Sequence, residues 1–389
     1  MKNQTKAILC QLPATDPFGA LSMPVYHTAA YEFANADTMS DAFCGRMLMP
    51  DYSRVMNPTV TFLEDKVRSI TGAHNVVALN SGMSAIFNTL ASVVESGQNI
   101  VTSRHLFGNT FSLITRTMRR WGIEARCVNL LSADAVEQAI NSNTACIFLE
   151  VLTNPQLEVA NLQLLADIAH KHGIPLIADT TAIPFTEFSS HKLGVDVEIL
   201  SSTKYLSGGG TSVGGIVIDY GTFPQIGTRI KTEMLFNIGC YMTPHVAYMQ
   251  TLGLETLDAR YRVQSSNAQA VAEALRQSGL MKVNYVGFAD NPFHDLAKQQ
   301  FNNSYGAMFT IDLDNRQACY NFINKLQLVH RATNLFDNRS LAIHPASTIF
   351  GNYSADELAS MDVLDTTIRL SIGLEAADDI IADLLRAAE

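Results

Sequence analysis

Short apolar runs rich in β-branched residues alternate with amphipathic stretches through the middle of the chain. Val76-Val77-Ala78-Leu79-Asn80, Asn99-Ile100-Val101-Thr102 and Ala145-Cys146-Ile147-Phe148-Leu149-Glu150 read as strands, as do Pro175-Leu176-Ile177-Ala178-Asp179 and Val197-Glu198-Ile199-Leu200-Ser201. Residues 162–172 carry apolar positions at helical spacing, and Gly173 ends that helix in a C-cap position. Strands that are nearly all apolar, with helices between them, imply a parallel sheet covered on both faces.

From about residue 250 the pattern loosens. A long helical stretch over 263–278 leads into a strand near 282–286. Strands follow at Ala307-Met308-Phe309-Thr310-Ile311 and Thr367-Ile368-Arg369-Leu370-Ser371, and an amphipathic helix covers 377–388. The expected organisation is an N-terminal arm over 1–50, a large α/β domain with a mostly parallel sheet over 51–250, and a smaller C-terminal α+β domain over 251–389. The first fifty residues show little periodicity and read as an arm that packs on another subunit.

Composition mainly excludes. The chain has 389 residues, 47% apolar and only 16% charged, which rules out disorder and low complexity. A net charge of −10 argues against nucleic acid and anionic membrane as partners. So little charge fits an oligomer that hides surface, and equally a monomer with an apolar core. No apolar run reaches the roughly 18 residues of a membrane span, and the short stretch over 7–12 is no secretory signal. The six cysteines (Cys10, Cys44, Cys127, Cys146, Cys240, Cys319) form no C-x-x-C pair and no metal-site spacing with histidine. They read as free thiols of a cytoplasmic protein.

The candidate chemistry lies beyond the strand ends, where open α/β sheets bind ligands. Ser81-Gly82-Met83 opens a helix directly after a strand, a turn that either offers free N–H groups to a phosphate or simply caps the helix. Asp179 ends another strand; it could pair with a cationic ring nitrogen or act as an ordinary turn residue. In Ser201-Ser202-Thr203-Lys204, a lysine follows a buried strand among hydroxyls and precedes Gly208-Gly209-Gly210. Desolvation there favours the neutral amine that forms imines, whereas a surface lysine beside a glycine loop is the plainer reading. Ser201 and Thr203 could hold a phosphate. An anion turn, a ring-pairing aspartate and an imine-forming lysine together match what pyridoxal 5′-phosphate requires of a protein.

Over nearly its whole length the chain resembles the pyridoxal-phosphate-dependent enzymes of Cys/Met metabolism. The resemblance is carried by Tyr52-Ser53-Arg54, Asn57-Pro58-Thr59, Ser81-Gly82-Met83, Thr153-Asn154-Pro155, Asp179, Ser201 to Lys204, His344-Pro345-Ala346-Ser347 and Arg369-Leu370-Ser371-Ile372-Gly373-Leu374-Glu375. It implies fold type I and a role for each matching residue. Lys204 would bind the cofactor and move protons, and Asp179 would keep its ring nitrogen protonated. Gly82, Met83, Ser201 and Thr203 would bind the phosphate. Tyr52 and Arg54 would reach a neighbouring subunit's phosphate site, making the active unit a dimer, with tetramers usual in the family. Asn154 would contact the ring hydroxyl, and Arg369 would clamp the substrate carboxylate.

There are departures. The stacking tyrosine of the family is Phe107, in Phe107-Gly108-Asn109-Thr110, which can stack but has no hydroxyl to protonate a leaving group. Methionine γ-lyases carry Cys where this chain has Asn109. Asn334-Leu335-Phe336-Asp337 replaces a Ser-Leu-Gly-Gly stretch and, with the Ile343-His344-Pro345-Ala346-Ser347-Thr348 that follows, is closest to the O-acetylhomoserine sulfhydrylases. Asn334 is thereby a substrate-site candidate, and Phe336 in place of glycine is expected to narrow the site. The resemblance implies γ-replacement on an O-acylated homoserine by sulfide or a thiol. The alternative is a C–S γ-lyase acting on methionine or cystathionine, and a non-catalytic binding relative stands behind both.

Overall fold

The computed structural model describes residues 1–9 and 18–389. Cys10 and the end of the short apolar stretch over 7–12 lie outside the described residues. Seven strands form the first sheet: β1 (Asn75–Leu79), β2 (Asn99–Thr102), β3 (Glu124–Cys127), β4 (Thr144–Glu150), β5 (Leu176–Asp179), β6 (Val197–Leu200) and β7 (Gly215–Asp219). Their order is β1-β7-β6-β5-β4-β2-β3. All pairs are parallel except the two made by β7, which runs against β1 and β6. The sheet is therefore mostly parallel, and the carboxyl ends of β1, β4, β5 and β6 share one edge.

Successive residues of each strand enter two different cores, as the twofold alternation of a strand requires. Ile216 and Ile218 of β7, with Ala178 of β5 and Leu149 of β4, face one core. Val217, Ile177 and Phe148 face the other. Apolar residues on both faces of a strand are what the near-continuous hydrophobic runs demanded.

The second sheet contains β8 (Lys282–Asn284), β9 (Met308–Asp312), β10 (His330–Arg331), β11 (Leu341–Ile343) and β12 (Thr367–Ser371), in the order β10-β11-β12-β9-β8. Phe309, Ile311, Ile368 and Leu370 join the same core as Ile216 and Ala178, so the two sheets share one continuous apolar body. The terminal helix Ala377–Ala388 buries Ile380, Leu384 and Ala387 in it.

Several sequence expectations shift. The long helix starts at Leu257 rather than 263. Its first turns look polar, but Arg260 is buried and spends its guanidinium on the carbonyls of Tyr205 and Gly253, at 2.7 and 2.6 Å. Strand β7 was hidden behind a glycine-rich run, and β3 is a short edge strand with charged residues. Gly173 takes the left-handed conformation (φ 70°) one residue beyond the cap at His172. Among the described residues five cysteines are free: Cys146 and Cys319 are buried and Cys44 is exposed, with Cys127 and Cys240 between. Among the described residues no helix is long and apolar enough to cross a membrane.

Candidate active site

The shared carboxyl edge of the sheet gathers most of the predicted residues. After β1, Ser81 caps the helix Gly82–Val93 and its hydroxyl accepts the Ser84 N–H at 3.0 Å. The first N–H groups of that helix, those of Gly82 and Met83, have no partner within the helix and face its positive end. A Cβ on Gly82 would lie 2.7 Å from the Ser201 Cβ, so only glycine lets this turn close on the residue that follows β6. Ser201 is held in turn by its N–H, which donates to Thr181 Oγ1 at 2.8 Å. The Thr203 hydroxyl is tied to the main chain of Gly214, donating to its carbonyl at 3.2 Å and accepting its N–H at 3.0 Å. Met83 packs on the second core and accepts weakly from Thr110 Oγ1.

Lys204 stands just beyond β6. Its Nζ donates to Asn334 Oδ1 at 2.8 Å, a contact that spans from the first sheet to the loop before β11. Burial pushes the amine down to about 8, and the Arg369 guanidinium acts in the same direction; Asp337 and Asp179 oppose it. Asn334 is fixed from its other end, where Nδ2 donates to Asp337 Oδ2 at 3.0 Å. Asp337 also accepts from Arg339 Nε at 2.9 Å.

Asp179 ends β5 with its Oδ1 accepting the Thr181 N–H at 2.9 Å. Burial pushes its carboxyl above the usual range, and the charge of Glu198 adds to this. Arg369, in the middle of β12, is only 1% exposed. It donates from one terminal nitrogen to Asn154 Oδ1 at 3.1 Å and from the other to the carbonyls of Thr333 and Asn334, at 3.3 and 3.1 Å. Its Nε has no partner among the described residues. A buried guanidinium stays protonated, so a cation with an unspent donor here calls for an anion.

Three more predicted residues, Phe107, Tyr52 and Arg54, share no hydrogen bond with this cluster among the described residues. Phe107 precedes the short helix Gly108–Ser112 as its cap, and its N–H donates to Glu150 Oε1 at 2.6 Å. Tyr52 and Arg54 line an open surface groove of about 900 Å³ with Phe33, Phe43 and Phe236. Arg54 lies over the Tyr52 ring, 5.5 Å from its centroid, and donates to the carbonyls of Leu235 and Phe236.

Sequence reasoning missed Glu150, Asp337 and Glu198. Glu150 was visible as an acidic residue ending an otherwise apolar strand, a signal that deserved the weight given to Asp179. Phe336 does not do what was expected of it. Its ring is buried and stacked on Tyr205 (centroids 4.2 Å apart, planes at 16°), so it fills core space against the residue that follows Lys204.

Comparison with known proteins agrees with this arrangement. A model of the family of Cys/Met metabolism PLP-dependent enzymes matches residues 4–389. The O-succinylhomoserine sulfhydrylase of Pseudomonas aeruginosa is 35% identical over 373 residues, covering 95% of this chain and 91% of that protein. The L-methionine gamma-lyase of Pseudomonas putida is 35% identical over 387 residues, covering 98% and 96%. A crystal structure from Campylobacter jejuni, assigned as an O-acetylhomoserine (thiol)-lyase, superposes with a TM-score of 0.96 at 33% identity over all of both chains and carries a pyridoxyl-lysine phosphate. This chain therefore belongs to the Cys/Met metabolism PLP-dependent enzymes, and pyridoxal 5′-phosphate is its cofactor.

Proposed function

We propose that the chain catalyses γ-replacement on an O-acylated homoserine, with sulfide or a small thiol as the incoming group. The observation that carries this reading is the seating of the Asn334–Asp337 segment, the stretch that resembles the sulfhydrylases, on Lys204 and Arg369 at once. In the net reaction the Cγ–O bond breaks and the acid departs as its carboxylate. A Cγ–S bond forms, and the thiol's proton is released.

The residues present fit the cofactor. Gly82 and Met83 at the helix end, with Ser201 and Thr203, would hold its phosphate. Asp179 would face the ring nitrogen, Asn154 the ring hydroxyl, Phe107 the ring face, and Lys204 the aldehyde. When bound, pyridoxal 5′-phosphate supplies an electron sink for charge developing on the substrate carbons. The chain's residues do the rest. Arg369, with Nε unspent, takes the substrate carboxylate and orients the amino acid. The Lys204 amine, readily neutral, would serve as base for the Cα and then the Cβ proton, releasing the first before it takes the second. Phe107 offers no proton; a departing carboxylate needs none, and a departing group that does need one would have to take it from Lys204 or a water.

The test is product analysis. Purified protein given O-acetylhomoserine and sulfide should yield homocysteine. If it instead converts methionine or cystathionine to an α-keto acid, ammonia and a thiol, the γ-lyase reading replaces this one; the full-length likeness to a methionine γ-lyase favours that second reading.

We also propose a homodimer, assembled into a tetramer, as the working form in the cytoplasm. In support, Phe18, Leu21 and Leu48 are 93%, 99% and 89% exposed on the N-terminal segment, an apolar area that a second copy would cover. Tyr52 and Arg54, on an open groove lined with Phe33, Phe43 and Phe236, would enter the neighbour's phosphate site. Sedimentation of the purified protein checks the assembly.

A further inference from the structure

Glu150 is 7% exposed, lies at the end of β4 and is the registered neighbour of Asp179 on β5. Registered residues of adjacent parallel strands project to the same face, with the strands roughly 4.8 Å apart. Two carboxyls therefore sit side by side, Glu150 buried and Asp179 half-buried, and no lysine or arginine is bonded to Glu150 among the described residues. What reaches Glu150 is main chain. Its Oε1 accepts the Phe107 N–H at 2.6 Å, and the Asn154 N–H also acts on its carboxylate.

We infer that Glu150 is a positioning residue of this site, anchoring the Phe107 and Asn154 segments and setting the charge of Asp179. The inference rests on the pyridoxal-phosphate reading of the site. The helix Gly108–Ser112 begins at Phe107 without a side-chain cap of its own, so the Glu150 contact is what fixes the turn carrying the ring. Asn154 in turn holds Arg369. One buried carboxyl thus braces the residue above the cofactor ring and the residue beside the substrate clamp.

Its second action is electrostatic. Burial first, and the Asp179 charge second, push the Glu150 carboxyl up. Side by side on neighbouring strands, the two carboxyls resist ionising together, so the state of one bears on the state of the other. A third carboxyl, Glu198, acts on Asp179 as well, but its oxygens are spent on Thr180, Ser190 and Tyr220. Lys204 acts on Asp179 with the opposite sign.

Two substitutions separate the two actions. Glu150→Gln keeps an acceptor for the Phe107 N–H and removes the titratable charge. Glu150→Asp keeps the charge and withdraws the acceptor by one methylene. The holoenzyme's visible absorbance band, titrated with pH, and the dissociation constant of the cofactor are read for each. The Gln variant should hold cofactor like the parent while the midpoint of its spectral titration falls by about half to one pH unit, because one of two carboxyls able to ionise near the ring has gone. The Asp variant should keep the parent's midpoint and bind cofactor about three- to tenfold more weakly, as expected for a lost hydrogen bond. If both variants match the parent in both measurements, the inference is overturned while the cofactor reading stands. A parent protein that shows no visible band with added pyridoxal phosphate would overturn the cofactor reading and this inference with it.

Discussion

The Lys204 amine is held by Asn334 at 2.8 Å, and Asn334 is itself held by Asp337. This chain of contacts aims the amine from the far side of the cleft. Truncating Asn334 to Ala leaves Nζ free to rotate and frees a lone pair on Asp337. The expected loss in kcat is about tenfold, the value of roughly one hydrogen bond to a charged or reacting group, with a smaller change in KM. Steady-state rates on O-acetylhomoserine check it. An unchanged kcat would mean that the cofactor alone orients the lysine.

The depressed basicity of Lys204 can be read before any turnover. The neutral amine is the form that attacks an aldehyde. Lowering its pKa to about 8 makes that form available at a lower pH than for an ordinary lysine near 10.5. Below pH 8 the amine is protonated and capture slows, by about tenfold per pH unit. Cofactor-stripped protein mixed with pyridoxal phosphate should therefore gain its visible band at a rate that climbs with pH and levels off above about 8. A rate still climbing at pH 10 would show a lysine that its surroundings have not perturbed.

Arg369 predicts a separation of binding from chemistry. Its terminal nitrogens are occupied by Asn154, Thr333 and Asn334, and only Nε is unspent. Lysine at this position could not satisfy these acceptors and a substrate carboxylate together, since it lacks the planar fork. Arg369→Lys should raise KM by about 10- to 100-fold, equal to roughly 1.4–2.8 kcal/mol of binding, with kcat reduced less. Initial rates over a range of substrate concentration distinguish this from a variant that merely folds poorly, which would lower active enzyme at unchanged KM.

How much of this was legible in the sequence depended on whether one segment held the information. Strands β2 and β12 match their expected spans because each is a compact apolar run between polar turns. Lys204, Asp179 and Gly82 stood out in the sequence because each lies at or just beyond a strand end, where open α/β sheets bind ligands. Strand β7 was not, because Gly214-Gly215 reads as loop although glycine there permits the close approach of Ser81. Glu150 escaped because its partners, Phe107 and Asp179, are 43 and 29 residues away in sequence, and its meaning arises only from strand register. The bond from Asn334 to Lys204 crosses 130 residues and has no local signature.

Phe336 shows where substitution by analogy misleads. The family pattern has glycine there, and the residue does take a left-handed conformation, φ 55°. Restoring glycine would relieve a backbone cost of about 1–2 kcal/mol. The ring, however, is 1% exposed and stacked on Tyr205, next to the reactive lysine. Deleting a buried phenyl costs about 3–5 kcal/mol, so packing outweighs the backbone term. Phe336→Gly should destabilise the protein by about 1–4 kcal/mol in denaturant unfolding of the holoenzyme, the difference between those two effects. The cavity also frees Tyr205, the chain neighbour of Lys204, whose hydroxyl accepts the Ala307 N–H at 3.0 Å. Activity should fall with stability. A Phe336→Gly variant that gains stability would mean that the left-handed backbone, and not the stacked ring, governs this position.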